Sequence, residues 1–296
     1  MKHVGNKFNA EDWDDFAHST DKSGPTGRDL FKTFQTFKAY VDALPKADLV
    51  KHGWMKSKDD IGALSSLFFQ LHADKNQVLF RMSKDAKSPL LAVWLSKARV
   101  NAELSFCKSD VAPFGELTKE DLRKFAQLSV DVNVVRKMSA LLARKGVVLV
   151  FLAALPGMKT DGVVFKLASG NPAIALSLRY ARLDYFWFTL LHELAHIVLH
   201  AARLDEPICD ELDSDGTDDL EVEANRLAKF SIVERSVWRN CEPKYNQNRE
   251  AVMAFAAKIH VHPSLVAGLL RKEANDYARY SDIVNEVDVR ALIFKA

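Results

Sequence analysis

His192, Glu193 and His196 sit together in Phe188-Thr-Leu-Leu-His192-Glu193-Leu-Ala-His196-Ile-Val-Leu-His200. The stretch has no Gly or Pro and is rich in Leu and Ala, so it is predicted to be helical. Residues four apart share a helix face. Two imidazoles at that spacing can grip one tetrahedral zinc. Glu193 lies one position round, beside the open coordination site, where a carboxylate can take a proton from a zinc-bound water. H-E-x-x-H is the pattern that zinc peptidases use. The competing reading is a buried helix with two satisfied histidines. The flanks favour the metal: Tyr185, Phe186, Trp187 and Phe188 precede it and Ile197, Val198 and Leu199 follow it. A zinc helix needs such a dry, rigid setting.

Two histidines leave a catalytic zinc site one protein ligand short. A histidine ten residues after His192 would complete one class of site, but position 202 is Ala. A glutamate from a second helix is the other common solution. Glu221-Val-Glu223-Ala-Asn225 opens a helical stretch. Glu223 is the expected ligand, because it lies one turn before Leu227 and beside small Ala224, which lets two helices approach. Glu221 is the alternative, and the glutamate left over would serve the helix macrodipole. His200, a turn beyond His196, reads as a cation near a helix C-terminus. His260, His262, Tyr180 and Tyr185 are further candidates for a transition-state donor.

The rest of the chain must hold these groups in place. Residues 1–28 are polar and end in Ser23-Gly-Pro-Thr-Gly27, which predicts a flexible arm. Leu30, Phe31, Phe34, Phe37 and Val41 repeat at helical spacing, as a packed apolar face would. Further helices are expected after Pro45, over 59–69 with Asp59 as cap, over 90–104, after Thr118 and over about 132–144, with Gly146 just past the end. The period then changes. Val147–Leu152, Val163–Leu167 and Ala173–Ser177 read as three short strands, with Pro156-Gly157, Asp161-Gly162 and Gly170-Asn-Pro172 punctuating them. The last strand is a candidate sheet edge to which an extended peptide could add. Helices are expected again from Leu220, over 249–259 and over 263–275.

At 296 residues and 48 % hydrophobic, the chain can build one or two cores. Its net charge of +2 points to no nucleic-acid partner. Cys107, Cys209 and Cys241 form no C-x-x-C pair and suit a reducing compartment. No apolar run approaches membrane-spanning length, and Met1–Trp13 has no apolar signal core. A soluble cytoplasmic protein is the expectation.

Phe186–His200 followed by Glu221-Val-Glu-Ala-Asn-Arg-Leu-Ala228 resembles the ImmA/IrrE family of zinc metallopeptidases. Gly146–Leu152, Asp161-Gly162 and Ala173–Ser177 resemble the strands which that family places before its zinc helix. Ile259–Gly268 and residues 45–98 resemble parts of members fused to HigA-type antitoxin domains. The resemblance departs at residues 1–44, which are too short and too aromatic for a helix-turn-helix reader. It implies an α+β fold: a zincin-like core of helix, small three-stranded sheet, H-E-x-x-H helix and glutamate-bearing helix, with helical regions at both ends. The corresponding layout is an arm over 1–28, a helical region over 29–110 and the peptidase domain over 111–296. It also implies Zn²⁺ on His192, His196 and Glu223, with Glu193 as general base. The expected substrate is a protein partner, a helix-turn-helix repressor, in stress response, mobile-element control or phage defence. The alternative is a zinc-binding regulator or toxin–antitoxin component that cleaves nothing.

Residues 205–223 hold ten acids and no base. Glu211-Leu-Asp213-Ser-Asp215-Gly216 imitates a calcium loop, but the twelfth position is Val222, where a bidentate glutamate is needed. Calorimetry should therefore show no tight calcium binding. A micromolar affinity that disappears in Asp213→Asn would refute this reading.

Overall fold

The computed structural model describes residues 31, 34–35, 38, 41–42, 44–60, 62–63, 66, 89–211 and 219–294. The expected arm over 1–28, much of the expected helix over 59–69 and acidic residues 212–218 lie outside the described residues. The chain divides into two compact units, Met1–His72 and Ala73–Ala296.

In the first unit, helix α1 (Lys46–Lys51) follows Pro45 and buries Leu49. The Leu49 carbonyl accepts from the N–H groups of both Trp54 and Met55, which turns the chain back over the helix. Asp60, rather than the expected Asp59, caps the following stretch by accepting from the Ala63 N–H at 2.9 Å. Phe31 and Phe34, expected in a packed face, are exposed, whereas Val41 is buried.

The second unit is built on a sheet of β1 (Val148–Phe151), β2 (Thr160–Lys166), β3 (Pro172–Leu176) and β4 (Ile208–Glu211). The strand order is β1-β3-β2-β4. β1 runs parallel to β3, and β2 is antiparallel to both β3 and β4. Four strands thus replace the three expected, because part of the acidic stretch after the H-E-x-x-H segment returns to the sheet. β3 is interior, so the expected peptide-binding edge at Ala173–Ser177 is closed: β1 and β2 occupy both its sides. Asp161-Gly162, expected between strands, lies inside β2.

Side chains alternate across a strand, and here both faces are covered. Leu149, Val164 and Ile174 stand in register and join the core formed with helix α5 (Leu183–His200). Val148, Phe165 and Ala173 form the neighbouring row, facing the other way. Helix α2 (Pro89–Lys108) packs on this second face. Its Trp94 indole N–H donates to the carbonyls of Leu152 and Ala153, and its Arg99 guanidinium lies over the Phe165 ring. Burial on both faces explains why the strands read as apolar runs with little polar alternation. α2 and the sheet fall in the same compact unit.

Helix α3 (Lys119–Gln127) opens with the expected Thr118 cap, reinforced by Asp121 reaching back to the Thr118 N–H. A 3₁₀ turn leads into helix α4 (Met138–Ala143), so the helix expected over 132–144 is only half α-helical. Beyond β4 come α6 (Asp219–Ile232), α7 (Arg235–Arg239), α8 (Arg249–Lys258), α9 (Pro263–Ala274), α10 (Ser281–Val284) and α11 (Val289–Phe294). Together with α3 and α5, residues of α6 to α11 share one apolar cluster with the inner sheet face. Among the described residues, no single helix is long and apolar enough to cross a membrane.

Gly146 ends α4 as the spacing predicts. It has φ +76°, and the Val147 N–H closes the helix on the Leu142 carbonyl. A Cβ there would lie 2.5 Å from the Phe114 Cα and 2.9 Å from the Ala112 carbonyl oxygen. Asn171 clamps the same turn by donating to the carbonyls of Ala112 and Gly146. Gly146→Ala should cost about 2–4 kcal/mol, from the left-handed backbone and the clash with main chain together. A thermal melt within about 1 °C of wild type would contradict this account, since such a cost moves a midpoint by several degrees.

Candidate metal centre

Helix α5 is buried on nearly all sides, and this lets it carry polar groups into the interior without water. His192, Glu193 and His196 are at most 1 % exposed. The Nε2 atoms of His192 and His196 stand 3.0 Å apart. Helix α6 crosses beside them through Ala224 and Ala228, both fully buried. Small side chains at this contact let the two backbones approach, and α6 brings a carboxylate with it. Glu221 Oε2 lies 3.0 Å from His192 Nε2, and Glu221 Oε1 lies 3.3 Å from His196 Nε2.

The expected third group, Glu223, does not reach the histidine pair. The buried stripe of α6 is Ala224, Ala228 and Ile232. Glu221, one turn before Ala224, heads that stripe. Glu223 is two positions further on, about 200° round the helix at 3.6 residues per turn, and its side chain is 61 % exposed. Leu227, used to orient Glu223, is only half-buried and does not mark the face toward α5.

Glu223 meets His200 instead, with Oε2 3.2 Å from His200 Nε2. His200 Nδ1 lies 3.0 Å from His196 Nδ1. His200 is therefore buried in a chain of side chains rather than serving only as a charge at a helix end. With the His196 proton on Nδ1, that N–H donates to His200, whose Nε2–H donates to Glu223. The His196 Nε2 lone pair is then turned toward His192 and Glu221. Outer partners of this kind set the tautomer and orientation of a metal-binding imidazole.

Burial pushes the His196 imidazole below its usual range, although Glu221 pulls the other way. Burial also acts to raise Glu221, but its contacts with His192 and His196 outweigh it and hold the carboxyl at about 2. Both effects favour a neutral His196 and an ionised Glu221 at neutral pH, which are the forms a metal binds. One ligand atom from each of His192, His196 and Glu221 lies within 4.8 Å of the other two. Ligands about 2.0–2.1 Å from a tetrahedral zinc would be roughly 3.3 Å apart, so the spacing of these three groups fits one small cation.

Glu193 lies against β2. A Cβ at Gly162 would come within 2.3 Å of Glu193 Oε1, so any larger residue there would displace the carboxylate. The ladder between β2 and β4 is irregular between Thr160 and Val163, which centres the bulge on this crossing. Gly162 is a site residue that sequence reasoning passed over as punctuation. The available signal was a glycine beside a Val-Val-Phe run, which in a strand often marks a close approach. Its neighbour Asp161 is buried and bound by Arg179 through both carboxylate oxygens, at 2.8 and 3.2 Å.

The other candidates have visible structural tasks. His262 caps α9, its Nδ1 accepting from the Ser264 N–H at 3.2 Å. His260 is exposed at a positive φ just after α8. The Tyr180 and Tyr185 rings pack with centroids 4.2 Å apart, and burial, with Tyr180 adding to it, pushes the Tyr185 hydroxyl up to about 12.

No curated protein matches the chain. Residues 143–267 match the sequence model of the Peptidase_M78 family, described as an IrrE N-terminal-like domain. The match runs from the end of α4 into the first turns of α9 and includes every group placed around the histidine pair. The similarity to the Peptidase_M78 family thus covers the whole sheet, α5 and α6.

Proposed function

We propose that the domain is a zinc-dependent endopeptidase in which His192, His196 and Glu221 hold the metal and Glu193 is the general base. The observation that carries this reading is the convergence of two imidazoles and a carboxylate from a second helix, with a sealed carboxylate one residue from the first histidine. Zinc bound there would supply a Lewis acid for the scissile carbonyl and lower the pKa of a water.

The chain's own residues account for the rest. Glu193 Oε1 or Oε2 accepts a proton from the attacking water and delivers it to the leaving amine nitrogen, so peptide and water become acid and amine. Gly162 leaves the space that this carboxylate occupies. Glu223 and His200 orient His196 from behind. A site that served only to stabilise the fold would have no use for a carboxylate at position 193, which disfavours the regulator that binds without cutting. Family resemblance makes a helix-turn-helix repressor the proposed substrate, in stress response, mobile-element control or phage defence.

Two measurements test the assignment. Metal analysis and competition with a chromogenic chelator should find about one zinc per chain. Glu221→Gln should weaken zinc more than about a hundredfold, and Glu223→Gln about tenfold or less, as expected for an outer partner. The reverse order would restore Glu223 as the ligand. Co-expression with a candidate repressor should show cleavage by wild type and a loss of at least about a hundredfold in Glu193→Gln, with zinc retained. If Glu193→Gln keeps the full cellular effect and the partner stays intact in both strains, binding without proteolysis is the better reading.

A further inference from the structure

A cavity of about 120 Å³ lies between the first two turns of α5 and the middle of α9. Tyr185, Phe188 and Thr189 line it from α5, and Leu265, Leu269 and Arg271 from α9. Thr189 is one helical turn before Glu193, and residues four apart share a face. Asp161, also on its wall, precedes the glycine that crosses Glu193. Two of the cavity's wall residues thus neighbour groups of the proposed site: Thr189 along α5 and Asp161 along β2.

Its charge is unbalanced in one respect. Asp184 is held by Arg182 at 3.0 and 2.7 Å, and Asp161 by Arg179. Each wall carboxylate already has an arginine. Arg271 has none. It is 4 % exposed, and Nη2 donates to the Tyr277 carbonyl, while Nε and Nη1 are buried with no hydrogen-bond partner. Asp184 and Asp276 are near enough to act on its charge, but neither satisfies those two N–H groups. A guanidinium cannot shed its proton to escape this position, and leaving it unpaired is costly. Nε and Nη1 lie on different edges of the guanidinium, so each can donate to a carboxylate oxygen, and the edge that Nε shares with Nη2 can hold a carboxylate if Nη2 turns its second hydrogen to it.

We propose that this cavity is the specificity pocket for a residue flanking the scissile bond, and that Arg271 selects a carboxylate there. This rests on the peptidase reading. Apolar Phe188, Leu265 and Leu269 suit the methylenes of a glutamate side chain. A chain-terminal carboxylate is the other source of the same chemistry.

The test uses the full chain loaded with zinc, labelled at Ile and Leu methyl groups so that Ile232, Leu265 and Leu269 report binding by NMR. The probes are N-acetylglutamate α-amide, N-acetylglutamine α-amide and N-acetylleucine. The glutamate probe should shift these methyls and bind at least tenfold more tightly than the glutamine probe. Arg271→Met should abolish that difference, while Arg271→Lys keeps part of it. If N-acetylleucine binds as tightly as the glutamate probe, with the same dependence on Arg271, the carboxylate recognised is a chain terminus. Equal binding of glutamate and glutamine probes, or binding unchanged in Arg271→Met, overturns the proposal.

Arg271→Met should melt no lower than wild type, because it removes an unpaired buried charge. Should it fail to fold, Leu269→Phe fills the same cavity and should abolish binding of the glutamate probe. Cleavage of a peptide library separates the two readings. Wild type should prefer an acidic residue beside the cut by at least tenfold, and Arg271→Met should lose that preference. Cleavage without it removes the pocket assignment alone. Arg271-dependent glutamate binding with no peptide cut removes the peptidase reading and leaves the pocket.

Discussion

Glu221 can reach two imidazoles on another helix only if the axes of α5 and α6 come close, and the domain is arranged to keep them there. Ala224 and Ala228 form the contact, so no large side chain holds the backbones apart. The approach is stabilised from outside it. α3 packs on the pair through Leu122 and Phe125, and the inner sheet face presses on α5 through Leu149, Val164 and Ile174. A larger residue at either alanine would move Glu221 before it moved the core, because close-packed interiors transmit volume changes.

The same closeness explains the electrostatics. Buried charge is tolerated only when partnered, and most of the charges around α5 are. Asp161 is matched by Arg179, Asp184 by Arg182 and Glu221 by the histidine pair. The first links β2 to the segment before α5, the second is local to the start of α5, and the third joins α6 to α5. Arg271 is the exception, and the cavity beside it gives that exception a chemical meaning.

Gly162 shows how the sheet takes part in the site. A strand interior normally prefers a β-branched residue, and Val163 and Val164 follow that preference. At position 162 a side chain would occupy the space of the Glu193 carboxylate. The backbone cost of glycine in a strand is accepted where strand and helix must touch. The bulge against β4 falls at the same place, so the local irregularity and the close approach have one cause.

Much of the domain was legible in the chain itself. Apolar runs bounded by Gly and Pro marked β1 and β3, Thr118 and Gly146 marked helix ends, and the four-residue spacing of His192 and His196 put both on one face. These are local consequences of helix and strand geometry, and neighbouring elements do not alter them. The choice between Glu221 and Glu223 was not local. Both stand among the first five residues of α6, and only the rotation of that helix against α5, set by the alanine stripe, aims one inward. Nor could β4 be read, since an acidic segment with little apolar content became a strand only because β2 offered an unpaired edge. His200, Gly162 and Arg271 acquired roles for the same reason. What each does depends on which atoms lie opposite, and packing between distant segments decides that.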